Sequence, residues 1–152
     1  MRTLKRISIA ILLLFVAYGM VACGTHSESK EVTGGKQAKE TKLTFDMIDE
    51  WDAAQEVAEK VEQVREKEAF EVITIGEDTF IVITMGEQNS GGYVVHIHEV
   101  IDTGASIKVL YEFESPAADA MVTQAITYPV AIAKINKTDK PIHFEASEQT
   151  KE

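Results

Sequence analysis

The chain has 152 residues, a single cysteine and a formal net charge of −10 at pH 7. A surface this acidic repels phosphate backbones and anionic lipid headgroups, which argues against nucleic-acid binding. The lone cysteine has no partner within the chain, so a disulfide-stapled scaffold is excluded.

The first 22 residues are predicted to be a lipoprotein signal peptide. Three cations precede an apolar run over residues 7–22, which is too short for a comfortable bilayer span. Cys23 follows directly, between Ala22 and Gly24, as at a site where signal peptidase II cleaves and a diacylglyceryl group joins the cysteine sulfur. The alternatives are an ordinary secretory signal and an uncleaved anchor helix, but ordinary cleavage would leave an exposed thiol in an oxidising compartment.

Lipid on Cys23 predicts the location of the mature protein. Cleavage removes three cations and no anion, so the net charge falls from −10 to −13. Such an acidic domain depends on palmitate or similar acyl chains to stay at a membrane. We therefore expect a lipid anchor on the extracytoplasmic face of the cell membrane, and the Lys- and Glu-containing segment that follows suits a Gram-positive surface.

One folded domain is expected over residues 44–146. Residues 23–43 comprise the lipidated cysteine and a flexible tether, because this segment has too few apolar side chains to order itself. Residues 147–152 are polar and are expected to form a disordered tail.

The domain is predicted to begin with an amphipathic helix from Thr44 to about Lys67. Neither Gly nor Pro interrupts this segment, and apolar residues recur at three- and four-residue spacing. The stripe consists of Ile48, Trp51, Ala54, Ala58 and Val61, widened by Val57 and Val64. We interpret the stripe as core packing.

After Glu68 the sequence is rich in β-branched and aromatic residues, which predicts strands. The predicted strands are Phe70–Ile75, Thr79–Met85, Tyr93–Ile101, Ser106–Glu114 and Gln124–Ile135, with a short sixth at Ile142–Phe144. Gly76-Glu77-Asp78 and Asp102-Thr103-Gly104 are predicted turns. The expected fold class is α+β, with one N-terminal helix packed on a curved, sandwich- or barrel-like antiparallel sheet of five or six strands.

Two segments carry a resemblance to a known family. The first reads Met85-Gly86-Glu87-Gln88-Asn89-Ser90-Gly91-Gly92-Tyr93, and the second contains Glu112–Pro116 and Met121–Pro129. In this order they resemble the C-terminal domain of the PrcB family, over roughly residues 70–136. That family has a Gly-Glu…Pro-Thr-Gly-Gly-Tyr loop followed by a Thr-Gln-Ala…Thr-Ser-Pro stretch.

The resemblance implies an interaction or assembly role beside a secreted protease, with no established catalysis. The chain departs from the family pattern at Asn89 and Ser90, at Ala117 and Ala118, and at Tyr128. The glycines of residues 86–93 allow backbone angles that are closed to other residues, which predicts a shaped loop rather than a plain two-residue turn. A partner-binding loop is nevertheless expected, made of Gly86, Glu87, Asn89, Ser90, Gly91, Gly92, Tyr93, Ser115 and Pro116.

A second, weaker resemblance is to chagasin-type cysteine protease inhibitors, which insert an Asn-Pro-Thr-Thr-Gly-Tyr loop into an enzyme cleft. Only Asn, Gly and Tyr of the segment Asn89–Tyr93 match that loop. A protease-inhibitor-like loop binder is therefore an alternative function, beside a purely structural loop.

A small-ligand or metal-binding lipoprotein is the other alternative. His96 and His98 lie two residues apart on a predicted strand, so both side chains are expected on one face, with Glu99 on the opposite face. Two ligands do not make a metal site. With the only thiol assigned to lipid and the few serines in tether, turns and tail, we predict a non-enzyme without cofactors.

Overall fold

The computed structural model describes residues 39–147. The predicted signal peptide, Cys23, the tether up to residue 38 and the tail from residue 148 lie outside the described residues. Within the described part, neither helix is both long and apolar enough to span a bilayer.

Within residues 39–147, eight strands form two four-stranded sheets. The strands are β1 (Thr41–Leu43), β2 (Asp46–Met47), β3 (Glu68–Ile75), β4 (Asp78–Met85), β5 (Val94–Asp102), β6 (Ile107–Glu114), β7 (Val130–Asn136) and β8 (Ile142–Ala146). The first sheet has the order β1-β5-β6-β8 and the second has the order β2-β7-β4-β3. Between β2 and β3 lie a 3-10 helix (Glu50–Asp52) and one α-helix, α1 (Gln55–Val64).

The strand β4 has a core on each of its two faces. Ile81 and Ile83 pack between the sheets, against buried side chains of β5, β6 and β7. Phe80 and Val82 point the other way, toward α1. Successive side chains of a strand point to opposite faces of the sheet. A strand whose two faces are both covered therefore needs apolar residues at consecutive positions.

The helix α1 covers the outer face of the second sheet. Val57 and Val61 are fully buried there and form a second core cluster with Phe80, Val82 and Ile132. The domain described by residues 39–147 therefore has three layers, with the helix outside one sheet of a β-sandwich.

The predicted fold class is wrong. The domain is mostly β, with two sheets rather than one curved, barrel-like sheet, and its short helix is not N-terminal. Residues 46–47 pair with β7 instead of starting a helix, and Ile48 N–H donates to the Ile132 carbonyl at 2.9 Å. Ala53 and Ala54 then take extended backbone angles, so α1 starts only at Gln55.

The two predicted hairpins are present, with β3 paired to β4 and β5 paired to β6. The predicted strand over residues 124–135 is different, because β7 starts only at Val130 and the preceding residues follow an irregular path. The last strand, β8, runs parallel to β6 rather than antiparallel. The irregular path before β7 is described further below, because it forms half of the candidate site.

Candidate functional site

The loop of residues 86–93 crosses from one sheet to the other, since β4 belongs to the second sheet and β5 to the first. Gly86 and Gly92 both have positive φ, at 80° and 89°. Glycine enters this region without the steric strain that other residues suffer. The predicted shaped loop is therefore present, and its two bends stand at two of the predicted glycines.

A second crossover, residues 115–129, returns from β6 to β7 and lies beside the first. Gln88 and Thr127 exchange backbone hydrogen bonds of 2.9 and 3.0 Å. The Gly91 N–H donates to the Thr123 carbonyl at 2.8 Å, and the Thr127 hydroxyl donates to the Ser90 carbonyl at 2.7 Å. We call the two crossovers, residues 86–93 and 115–129, the paired loops.

The closest approach within the paired loops is at Gly92. A Cβ atom there would lie 2.8 Å from a methyl carbon of Val122 and 3.0 Å from Cβ of Pro116. Both distances are below or at the limit of real Cβ contacts, so only glycine fits without a shift of the facing loop. Pro116, a predicted site residue, thus lies directly against Gly92 of the facing loop. Ser115, the first residue of the second crossover, is exposed to solvent.

The paired loops expose apolar side chains beside polar ones. Met121 is completely exposed and Ile126 is 58% exposed. Glu87 and Asn89, both predicted site residues, are exposed as well, while Ser90 and Tyr93 are partly buried. Methionine is enriched at protein–protein interfaces relative to the rest of the protein surface.

Met121 and Ile126 are functional candidates that the sequence prediction missed. Ile126 was placed in a strand, where an apolar side chain needs no further explanation. The only available signal was the pair of prolines, Pro116 and Pro129, which are unfavourable inside a strand.

A chain of polar contacts connects the paired loops to the end of α1. The Tyr128 hydroxyl donates to a Glu87 carboxylate oxygen at 3.1 Å, and this acceptor, with partial burial, raises the pKa of Tyr128. The Arg65 guanidinium lies over the Tyr128 ring, 5.1 Å from its centroid. Arg65 also pairs with Glu50 at 3.3 Å and with Glu62. The loops are thereby fixed to the helical layer as well as to each other.

The two predicted metal candidates, His96 and His98, lie on the outer face of the first sheet. Their rings stack 5.9 Å apart, and each Nε2 contacts a carboxylate of β6, Glu114 at 2.6 Å and Glu112 at 2.9 Å. No group of three potential ligands in residues 39–147 is placed to hold a metal ion. Each histidine is thus already paired to its own carboxylate.

The expectation for Glu99 is wrong, because the ladder between β5 and β6 has a register shift between Ile97 and Glu99. The extra residue on β5 at this shift reverses which face of the sheet the following side chains point to. Glu99 therefore shares the outer face with the histidines, where it pairs with Lys42 of β1.

One cleft of about 280 Å³ opens away from the paired loops, beside β2. An ion pair between Asp46 and Lys134, 3.8 Å apart, lies within it. Its remaining lining residues are Thr44, Phe45, Asp78, Ile135 and Asn136. A cleft this small and polar lacks the apolar lining that small-molecule sites usually have.

Residues 79–136 match a family model described as PrcB C-terminal. The match confirms the resemblance predicted from the two loop motifs, and it runs from the start of β4 to the end of β7. Both paired loops therefore lie inside the matched segment. No curated protein and no solved structure matches the chain significantly.

Proposed function

We propose that this protein is a non-catalytic interaction module, held at the extracytoplasmic face of the membrane by lipid on Cys23. Its partner in this proposal is a secreted protease, for which it serves as an accessory or assembly subunit. The match of residues 79–136 to the PrcB C-terminal family supports a protease-complex role. The acidic composition, with a net charge of −10, supports a lipid rather than an electrostatic attachment.

The observation that carries the proposal is the construction of the paired loops. Backbone hydrogen bonds from Gln88 and Gly91 hold one loop against the other. A surface that is ordered before binding loses little conformational entropy when a partner docks. Met121 and Ile126 supply exposed apolar area on that ordered surface.

The same construction favours a broad contact face over an inserted inhibitor loop. A single loop inserted into a narrow enzyme cleft has to be free on both of its sides. Here Ser90, Gly91 and Gly92 are covered along one side by Thr123, Thr127 and Val122. The proposed contact therefore uses both loops together.

Replacing two exposed residues of the paired loops should weaken the complex without unfolding the domain. We expect Asn89→Ala/Met121→Ala to lower recovery of a secreted protease about tenfold, which corresponds to a loss of about 1.4 kcal/mol of binding free energy, as truncation of a central interface residue causes. The measurement is crosslinking in intact native host cells that produce the tagged full chain, with mass spectrometry of the recovered proteins.

The matched control for this experiment is Val72→Ala, which removes an exposed apolar side chain on β3, outside the paired loops. It should recover as much protease as the unaltered chain. Equal recovery by the double variant, or the absence of any protease from the complexes, contradicts the proposal.

Replacing Cys23 with serine tests the anchor separately. Serine cannot form the thioether to diacylglycerol, so Cys23→Ser should abolish metabolic labelling with palmitate. The label is the readout, because the serine variant also loses the cleavage site and keeps the apolar run over residues 7–22. Two or more acyl chains hold a protein stably, since each buried methylene contributes ~0.8 kcal/mol. If the variant still incorporates palmitate, the proposed lipid anchor is wrong.

A further inference from the structure

Trp51 is the most exposed large aromatic side chain of the domain, at 89%. The apolar periodicity of the sequence placed it in the core. It stands instead in the 3-10 helix that precedes α1, on the solvent side. Met47, four residues earlier, is 53% exposed. Two large apolar side chains are thus presented to solvent within one short segment.

The backbone that carries Trp51 is fixed on both sides. Before it, Ile48 packs on the helical core and its N–H donates to Ile132 of β7 at 2.9 Å. After it, Ala53 and Ala54 pack on the same core. A hydrogen bond of 3.0 Å from Asp52 N–H to the Asp49 carbonyl closes the turn between them. The exposed indole therefore projects from an ordered support rather than from a free loop.

The surroundings of Trp51 are acidic. Four carboxylates occur within seven residues, at Asp46, Asp49, Glu50 and Asp52. Two of them pair internally, Asp46 with Lys134 and Glu50 with Arg65. Asp49 and Asp52 are exposed and form no salt bridge with any described residue.

We propose that Trp51 anchors a protein partner whose apolar pocket is rimmed by Lys and Arg side chains. Tryptophan is enriched among residues that dominate binding energy, because it buries a large area with few rotatable bonds. Asp49 and Asp52 would meet the basic rim, which steers and orients the encounter. This inference does not depend on the paired loops being a contact surface.

The same charges disfavour two other occupants. An anionic lipid surface repels the acidic rim, although tryptophan by itself suits a membrane interface. A second copy of this chain would place like charges against each other, which is also unfavourable. A basic protein surface is the occupant that satisfies both the indole and the carboxylates.

The test uses the only tryptophan of the chain as its own reporter. The full chain is held in neutral phosphatidylcholine nanodiscs and titrated with a fluorescein-labelled amphipathic peptide of Lys and Leu. We expect Trp51 emission to shift to the blue on binding, because burial removes water from the indole. A peptide with Glu in place of Lys should give no shift.

Labelled-peptide anisotropy then assigns the binding to this surface. Trp51→Ala should raise the Kd for the Lys/Leu peptide at least tenfold, whereas Val72→Ala should change it less than twofold. Asp49→Lys/Asp52→Lys should weaken the Lys/Leu peptide and strengthen the Glu/Leu peptide. The matched charge control is Glu77→Lys/Asp139→Lys, two exposed acids away from this segment, which should not reverse the preference.

Three results would overturn the inference. The first is unchanged peptide affinity in Trp51→Ala, and the second is equal effects of the two charge-reversed variants. The third is Trp51 emission that is already blue-shifted without peptide, which would mean that lipid or another part of the chain covers the indole. If Asn89→Ala/Met121→Ala recovers as much protease as the unaltered chain, these three peptide-binding and emission measurements are unaffected. The two proposals can therefore fail separately.

Discussion

Replacing Ile81 with alanine is expected to destabilise the domain by about 2–5 kcal/mol, the usual range for removing a fully buried Ile side chain. Ile81 is 0% exposed and lies in the core between the two sheets, against side chains from both. The rigid sheets on either side cannot collapse into the space, so a cavity remains. Urea denaturation of the full chain, followed by far-UV circular dichroism, measures the loss.

The control for Ile81 is its cross-strand partner Val72. Val72 lies on the edge strand of the same sheet and is 43% exposed. Its replacement by alanine should cost only about 1 kcal/mol, because nearly half of the side chain is already in contact with solvent in the folded domain. A similar loss for both variants would contradict the layered sandwich, since it would mean that the β3 edge is as enclosed as the centre.

The strands were the part of the fold that sequence reasoning could predict. The β-branched segments that form β3, β4, β5 and β6 are eight or nine residues long, and a short polar turn joins the two strands of each hairpin. Local pattern therefore identifies each hairpin. It does not reveal which hairpins share a sheet, because β4 pairs with β7 more than forty residues later.

The start of the helix was mispredicted for a physical reason. The spacing of Ile48, Trp51 and Ala54 imitates one helical face, but pairing of Asp46 and Met47 with β7 fixes the backbone as a strand first. Tertiary pairing overrides local periodicity in this way whenever the local preference is weak. Trp51, which the periodicity placed in the core, is therefore exposed on the surface, where the proposed partner could contact it.

The candidate site was half predictable. The glycines of residues 86–93 predicted a shaped loop, because positive φ angles need glycine. The facing residues Val122, Thr123 and Thr127 could not be assigned to it, since the contact uses mainly backbone groups, which every residue has. Because these backbone hydrogen bonds require the two loops to lie close together, a single added side-chain carbon between the loops is expected to disturb them.

Replacing Gly92 with alanine is expected to separate the paired loops. The added Cβ would meet Val122 at 2.8 Å and Pro116 at 3.0 Å, and the residue would also keep a φ of 89°. Overpacking and backbone strain together cost about 1–3 kcal/mol. We expect the backbone N–H of Gly91, which donates to Thr123, to lose hydrogen-exchange protection as the facing loop moves away. NMR-detected exchange on the isotope-labelled full chain measures it.

Gly76→Ala separates the effect of crowding from the effect of backbone strain. Gly76 also has a positive φ, of 61°, but nothing lies within 4 Å of a Cβ built there. This variant should be destabilised only by the backbone strain, about 1 kcal/mol. The Gly91 amide should stay as protected from exchange as in the unaltered chain. If the Gly91 amide keeps its protection in Gly92→Ala, the two crossovers do not depend on the close approach at Gly92. The ordered surface on which the protein-binding proposal rests would then need another physical basis.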